Sequence, residues 1–389
     1  MTQRMKRNGL ILLGTIILLL VVARILLPAI VEKSLNKQLQ FDSPVPTADT
    51  LAFQQNMAIM DWHADTLLWN RDFLERSDYG QVDLPRLKEA NIGFQMLTVV
   101  TKSPKGQNYD TNTTDAPDNI TSLAVVQGWP VRTWGSLLER ALYQAEKLAD
   151  AVSSEPDKVR WIKSQADLNA HLATPKSKLA VFLGTEGAHP LEGKLENIDR
   201  MYHAGFRMFG ITHFFDNKLA GSLHGTSKSG LTEFGKQAIQ RFDELETIID
   251  LSHVSEKAAY EVLALSSRPP VVSHTGFRGN CDSPRNFEDA LMEKIAEKGG
   301  LIAVGLWEGA ICDPSPEGVA KAIQYGISLV GADHVALGSD WDGSVTAMPA
   351  DALPQITQAL RDAGVSDTDI EKVLGGNSIA YLKKWLPRS

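Results

Sequence analysis

Cysteine is scarce in this chain: two residues among 389, Cys281 and Cys312. Neither sits in a C-x-x-C pair or a Cys/His cluster, which excludes a zinc finger. One disulfide and two buried thiols both fit the spacing, and thiols are the reading adopted. An excess of positive charge is also missing. The 39 Lys and Arg residues stand against 47 Asp and Glu, for a net charge of −8. Binding to nucleic acid needs a basic face that neutralises phosphates, so that class of partner is excluded. The mild acidity serves solubility. Internal repeats and low-complexity tracts are absent. No G-x-G-x-x-G follows the first strand-like run, which speaks against an open, doubly wound dinucleotide-binding sheet.

Apolar residues are plentiful, at 43%, enough over this length for one large core or two ordinary ones. The N-terminus stands apart from the rest. Arg4, Lys6 and Arg7 precede the uncharged run Gly9–Ala23, Arg24 interrupts it, and residues 25–31 are apolar again. Read to Val31, the segment reaches the ~20 residues a bilayer requires, with Arg24 near one end and able to snorkel. No clear A-x-A site follows, so an uncleaved signal anchor is favoured over a cleaved signal peptide. The basic flank predicts a cytoplasmic N-terminus. The remainder would then be anchored on the exported side of a membrane, facing a bacterial periplasm or the cell exterior. Residues 1–31 are thus read as the anchor, the polar stretch 32–50 with Pro44 and Pro46 as a linker, and 51–389 as the folded domain.

Within that domain, short apolar runs alternate with helical patterns. Eight runs read as strands covered on both faces: 57–60, 92–100, 179–183, 207–211, 248–251, 270–272, 301–305 and 334–338. Between them, Ser136, Thr232, Ser255 and Ser366 are placed to open helices, and Gly375-Gly376 to stop the last of these. Strand–helix alternation means parallel pairing, and eight units fit a (β/α)8 TIM barrel. The irregular stretch 101–130 is too long for a plain connection in a compact domain and reads as functional or mobile.

The polar residues after these strands carry the chemistry. His63 and Asp65 follow the first in "MDWHAD". Glu186 follows the third, His213 the fourth, His253 the fifth, His274 the sixth and Asp340 the eighth. In a barrel these strand ends share the rim where active sites lie. Packing does not account for so many ionisable groups at equivalent positions, whereas a divalent metal centre does. Among the other histidines, His171 and His203 read as surface residues and His334 as lying on the opposite rim. His189 and His224 are left as neighbours of the site.

The pieces "DWHAD", "GTEGAHP", "ITHFFDN", "IIDLSHVS", "VVSHTG", "GSDWDG" and "GGN" resemble the membrane dipeptidase (renal dipeptidase) family of amidohydrolase-like barrels, from about residue 55 to 386. The resemblance implies two zinc ions per chain. His63 and Asp65 would hold one, His253 and His274 the other, and Glu186 would bridge them. It implies that His213 contacts the substrate, that Asp340 is the acid/base, and that Arg285 binds the substrate's terminal carboxylate. The reaction so implied is hydrolysis of dipeptides, D-configured C-terminal residues included, by a hydroxide bridging the metals. A homodimer is a further possibility. Two departures bear on specificity: Trp62 stands where the family has a small glycine, and the segment 214–230 differs from mammalian members. The rival expectations are a dinuclear hydrolase of another amide or a lactone, and a non-catalytic binding protein on the same barrel.

Overall fold

The computed structural model describes residues 3–174 and 178–388. Of residues 3–7 only the backbone is described, so the side chains of the basic flank, Arg4, Lys6 and Arg7, lie outside the described residues. Nine parallel strands form one sheet: β1 (Ile59–Ala64), β2 (Ile92–Val100), β3 (Val159–Trp161), β4 (Leu179–Glu186), β5 (Met208–Gly210), β6 (Ile248–Asp250), β7 (Val271–Thr275), β8 (Leu301–Val304) and β9 (Val335–Leu337). Their order is β2-β1-β9-β8-β7-β6-β5-β4-β3, and β2 also pairs with β4 over Phe94–Val100 and Ala180–Glu186. That ladder closes eight strands into a barrel. β3 lies outside it, along the first three residues of β4; its sequence, Val-Arg-Trp, is too short and too polar to register as a strand.

The strands are buried on both faces because helices cover the outside and side chains fill the inside. All eight barrel strands contribute to one apolar cluster, with Met60, Trp62, Phe94, Phe182, Met208, Ile248, Val271, Leu301 and Ala336 among its members. Ile379, Tyr381 and Leu382 of the last helix, with Leu386 just past its end, close it. Trp62 belongs here: its indole donates to Ser378 Oγ (2.8 Å) and meets Tyr381 edge-on. Although it is next to His63 in sequence, Trp62 therefore packs against the closing helix and not against the rim residues.

Ser136, Thr232, Ser255 and Ser366 are N-caps, each side chain accepting a backbone N–H one turn on. Such a cap stabilises a helix by about 1 kcal/mol. Gly375-Gly376 does not stop the final helical segment. It lies in a single wide turn, Lys372–Gly376, that joins Asp367–Glu371 to Asn377–Trp385. A Cβ on Gly375 would come within 1.8 Å of Ala58 O, so the glycine is there to let this turn press on the start of β1. The two cysteines also correct the expectation: Cys281 and Cys312 form a disulfide, their Cα atoms 5.6 Å apart. They follow β7 and β8, which are neighbours in the barrel, so topology brings together residues 31 apart in sequence. His171 is buried against Phe94, not at the surface.

The first helix runs from Gln3 to Leu35. Its segment Asn8–Leu35 is long and apolar enough to cross a membrane. Side chains from Leu10 to Leu27 are largely exposed, and burial begins at Pro28, Glu32 and Asn36. From there the chain is strapped to the loop after β9. Asn36 Oδ1 accepts from Ser344 N (2.9 Å), and Leu39 N donates to Ala347 O (2.9 Å). Arg71 pairs with both Glu32 and Asp342. Arg71→Met leaves two buried carboxylates without their cation and is expected to cost about 3–5 kcal/mol. Denaturant unfolding of the detergent-solubilised chain measures that loss.

Candidate metal centre

β1 carries His63 within the strand and Asp65 just beyond it. Glu186 is the last residue of β4, and His274 lies within β7. The strands therefore extend into the polar residues that seemed to follow them. His213, His253 and Asp340 each lie three residues past the ends of β5, β6 and β9. All seven residues are buried and meet at the C-terminal rim.

Glu186 is the hub. Its Oε1 lies 3.1 Å from His253 Nε2, 3.2 Å from His274 Nε2 and 3.7 Å from His63 Nε2, and its Oε2 lies 3.3 Å from His213 Nε2. His63 Nε2 is 3.6 Å from Asp65 Oδ1 and 3.9 Å from Asp340 Oδ1. His253 and Asp340 have φ of 64° and 62°, a conformation unusual for non-glycine residues that gathers at functional sites.

The shell behind these residues aims them. Ser273 Oγ donates to Asp250 Oδ2 (2.7 Å) and lies 3.0 Å from His63 Nδ1 and 2.9 Å from His274 Nδ1. A hydroxyl has one hydrogen. With that hydrogen on Asp250, the serine oxygen accepts from both rings. Both rings therefore carry their proton on Nδ1 and turn an Nε2 lone pair toward the centre, the arrangement a metal ligand needs. Asp250 Oδ1 in turn accepts from Ser252 and from Ser273 N. Thr98 Oγ1 donates to Asp65 Oδ1 (2.7 Å).

The electrostatics suit a cation. Burial drives His253 and His274 well below the usual histidine range, which keeps them neutral. Burial also opposes charge on His63, but the nearby carboxylates of Asp65, Glu186 and Asp340 push it up to about 10, so a proton occupies Nε2 wherever a metal ion does not. Glu186 is raised by burial and by Asp65. Negative charge at one point that raises a histidine so far also attracts a metal ion. His63 Nε2 has no hydrogen-bond partner among the described residues, although it is fully buried. Three overlapping groups bring donor atoms within 4.8 Å of one another: His63, Asp65 and Glu186; Glu186, His213 and His253; and His63, Asp250 and His274. The first two share Glu186, so the donor set fits two metal ions side by side. In the third, Asp250 is already engaged by Ser252 and Ser273 and serves to orient the rings.

Arg285, in the loop after β7, is buried and donates from Nη2 to His274 O (2.8 Å). Its guanidinium lies over Trp307 (5.3 Å), whose indole donates to Tyr109 Oη (2.8 Å). Tyr109 comes from the 101–130 stretch, which covers the rim. That stretch also contains the helix Asn119–Val126. A cavity of about 560 Å³ is lined by Asp65, Glu186, His213, His253, Arg285 and Asp340 on one side. Val31 and Leu35 of the first helix, with Leu68, Ile120 and Leu123, form another wall. His224 reaches the site, its ring 5.2 Å from that of His253 and its Nδ1 2.9 Å from Tyr109 O. His189 stacks on Phe215 beside it. Sequence reading overlooked Asp250, Ser273, Tyr109 and Trp307. Only Asp250 left a signal, as a charge inside an apolar strand.

The profile of the membrane dipeptidase family, peptidase family M19, matches residues 48–385. A dipeptidase of Aspergillus oryzae, aclJ, is 28% identical over 83% of this chain and 77% of its own length. The fold is similar to that of the probable dipeptidase PvdM of Pseudomonas aeruginosa (TM-score 0.71, 22% identity, covering 88% of this chain and 98% of that one). It is equally similar to a metallopeptidase of Rhodobacter sphaeroides bound to a phosphinate mimic of the dipeptide L-Ala-D-Ala (TM-score 0.71, 22% identity, covering 85% and 99%). A parallel barrel, a rim of buried imidazoles and carboxylates around one glutamate, and a profile match over nearly the whole barrel agree: the chain belongs to the membrane dipeptidase family.

Proposed function

We infer that this protein hydrolyses dipeptides at a dinuclear metal site and that the native ions are zinc. The observation that carries the reading is the convergence of His63, Asp65, His253 and His274 on Glu186, with the His63 and His274 rings held by Ser273 so that Nε2 faces the centre. His63 and Asp65 would hold one ion, His253 and His274 the other, with Glu186 shared. When bound, such a pair supplies Lewis acidity and makes water acidic enough to ionise near neutral pH.

The chain's own residues do the rest. Asp340 takes a proton at its carboxylate and passes it to the leaving amine. Arg285 grips the free carboxylate of a short substrate through two parallel N–H donors, which sets substrate length. Arg285→Ala is expected to raise KM for a dipeptide about 100-fold, as for loss of a charge-assisted pair, and to change KM for the corresponding dipeptide amide far less. Equal effects on both substrates would make Arg285 a packing residue.

His213 is assigned to the substrate, with one condition. Its Nδ1 lies 3.3 Å from Lys102 O, a carbonyl that only accepts. The neutral ring therefore carries its proton on Nδ1, and burial pushes its pKa down to about 4. Donation from Nε2 to a substrate oxygen requires this hydrogen bond to be released. His213→Asn is expected to lower kcat/KM and keep the metal content of the wild type. Loss of metal in that variant would make His213 a ligand.

The first helix is read as spanning the membrane with the barrel on the exported side. The Cys281–Cys312 disulfide supports that side, since such bonds persist in oxidising compartments. Metal analysis paired with a dipeptide panel, Ala-D-Ala included, tests the central reading. A metal-loaded protein that cleaves no dipeptide would overturn it.

A further inference from the structure

The mouth of the cavity and the end of the first helix are one structure. Gly9 to Leu27 spans about 28 Å as a helix, close to the ~30 Å hydrocarbon core of a bilayer. Burial against the barrel begins at the next residue, Pro28. If Leu27 marks the hydrocarbon edge, Val31 and Leu35 lie about 6 and 12 Å beyond it along the axis. Both line the active-site cavity.

Next to the membrane-spanning part, the barrel meets the helix through the segment 127–128. Gln127 Nε2 donates to Pro28 O (3.3 Å), and Arg24 Nη2 to Gly128 O (3.4 Å). Val31 packs on the cluster of Leu68, Trp69, Val100, Ile120 and Trp129. Gly128 is therefore within reach of the Arg24 guanidinium, beside the helix segment 24–28. Around Gly128 three large apolar side chains are exposed, Val125 (46%), Val131 (71%) and Trp134 (41%), with Arg132 between them paired to Glu146. Outside the first helix, eight large apolar side chains are exposed among the described residues, and these three fall within one ten-residue stretch. Tryptophan at such a position is favoured at the membrane–water boundary.

We propose that the surface formed by Val125, Val131 and Trp134 docks on the phospholipid bilayer beside the anchor. It holds the active-site mouth at the lipid–water interface. The occupant is lipid because the patch is continuous with the anchor helix through the Arg24–Gly128 and Gln127–Pro28 contacts. Substrate then enters from the membrane surface, past the wall shared by Val31 and Leu35. The proposal rests on the membrane-spanning reading of the first helix and is independent of the dipeptidase reading.

The test uses the full chain in nanodiscs of phosphatidylcholine and phosphatidylglycerol. Single Val125→Cys, Val131→Cys and Ser154→Cys variants each carry a nitroxide, the native cysteines being tied in their disulfide. Ser154 ends the helix that runs from Leu137 toward the far rim. At 125 and 131, collisions with oxygen should exceed collisions with a water-soluble nickel chelate. At 154 the order should reverse. Labels at 125 and 131 as aqueous as the one at 154, on a chain that resists alkaline carbonate extraction, overturn the docking surface and leave the anchor standing. Extraction of the chain by carbonate overturns both.

Discussion

Asp340→Asn is expected to lower kcat by about 10²–10⁴-fold, the range for loss of a general acid–base group, and to leave the metal content unchanged. The variant suits the site. Asp340 has φ 62°, and Asn accepts that left-handed conformation as Asp does, so the backbone stays in place. What is lost is the ability to take and return a proton. Burial pushes the Asp340 carboxyl up to about 7. Asp65 and Asp61 add to the rise, and the charges of His63 and Arg285 oppose it. A group poised there exchanges protons at neutral pH, and nearby cations favour its anionic form until it collects one. Its Oδ1 lies 3.9 Å from His63 Nε2, beside the donors to the metals and not enclosed among them. Wild-type kcat in the metal-loaded variant would remove Asp340 from the reaction. Loss of metal would make it a ligand.

Dialysis against a chelator is expected to abolish turnover altogether and to destabilise the fold, and added zinc should restore both. Taking the cations away leaves Asp65, Glu186 and Asp340 buried around His63, with that ring and Arg285 as the opposing charges beside Glu186. An ion present at 100 times its Kd stabilises the folded state by about 2.7 kcal/mol. At roughly 2–4 °C per kcal/mol for a large domain, its removal lowers Tm by about 5–10 °C. Metal content by mass spectrometry, Tm and dipeptide turnover should fall together. Full turnover by a protein shown to be metal-free would end the dinuclear account.

The barrel was legible because its signals are local. Short apolar runs between capped helices follow from burial on both faces of a parallel sheet, and Ser136, Thr232, Ser255 and Ser366 cap as their side chains dictate. The ends of β1, β4 and β7 were drawn too short. His63, Glu186 and His274 are polar, and a polar residue in a strand looks like the strand's end unless something at the rim compensates its burial. The same blindness hid Asp250 and Ser273, which act only through the rings they hold.

What the order of amino acids determined alone is the set of donors and their phase. The residue types at each strand end, and the apolar run that begins the chain, are properties of the one-dimensional string. Closure of β2 on β4 decided the rest. It turned residues spread over nearly three hundred positions into neighbours of one glutamate. The pairing of β7 with β8 joined Cys281 to Cys312, and packing sent Trp62 to the closing helix and stood the end of the first helix against the mouth of the site. Those outcomes depend on which strands pair and which faces meet. Such long-range contacts leave no periodicity in the sequence, because no single segment contains them.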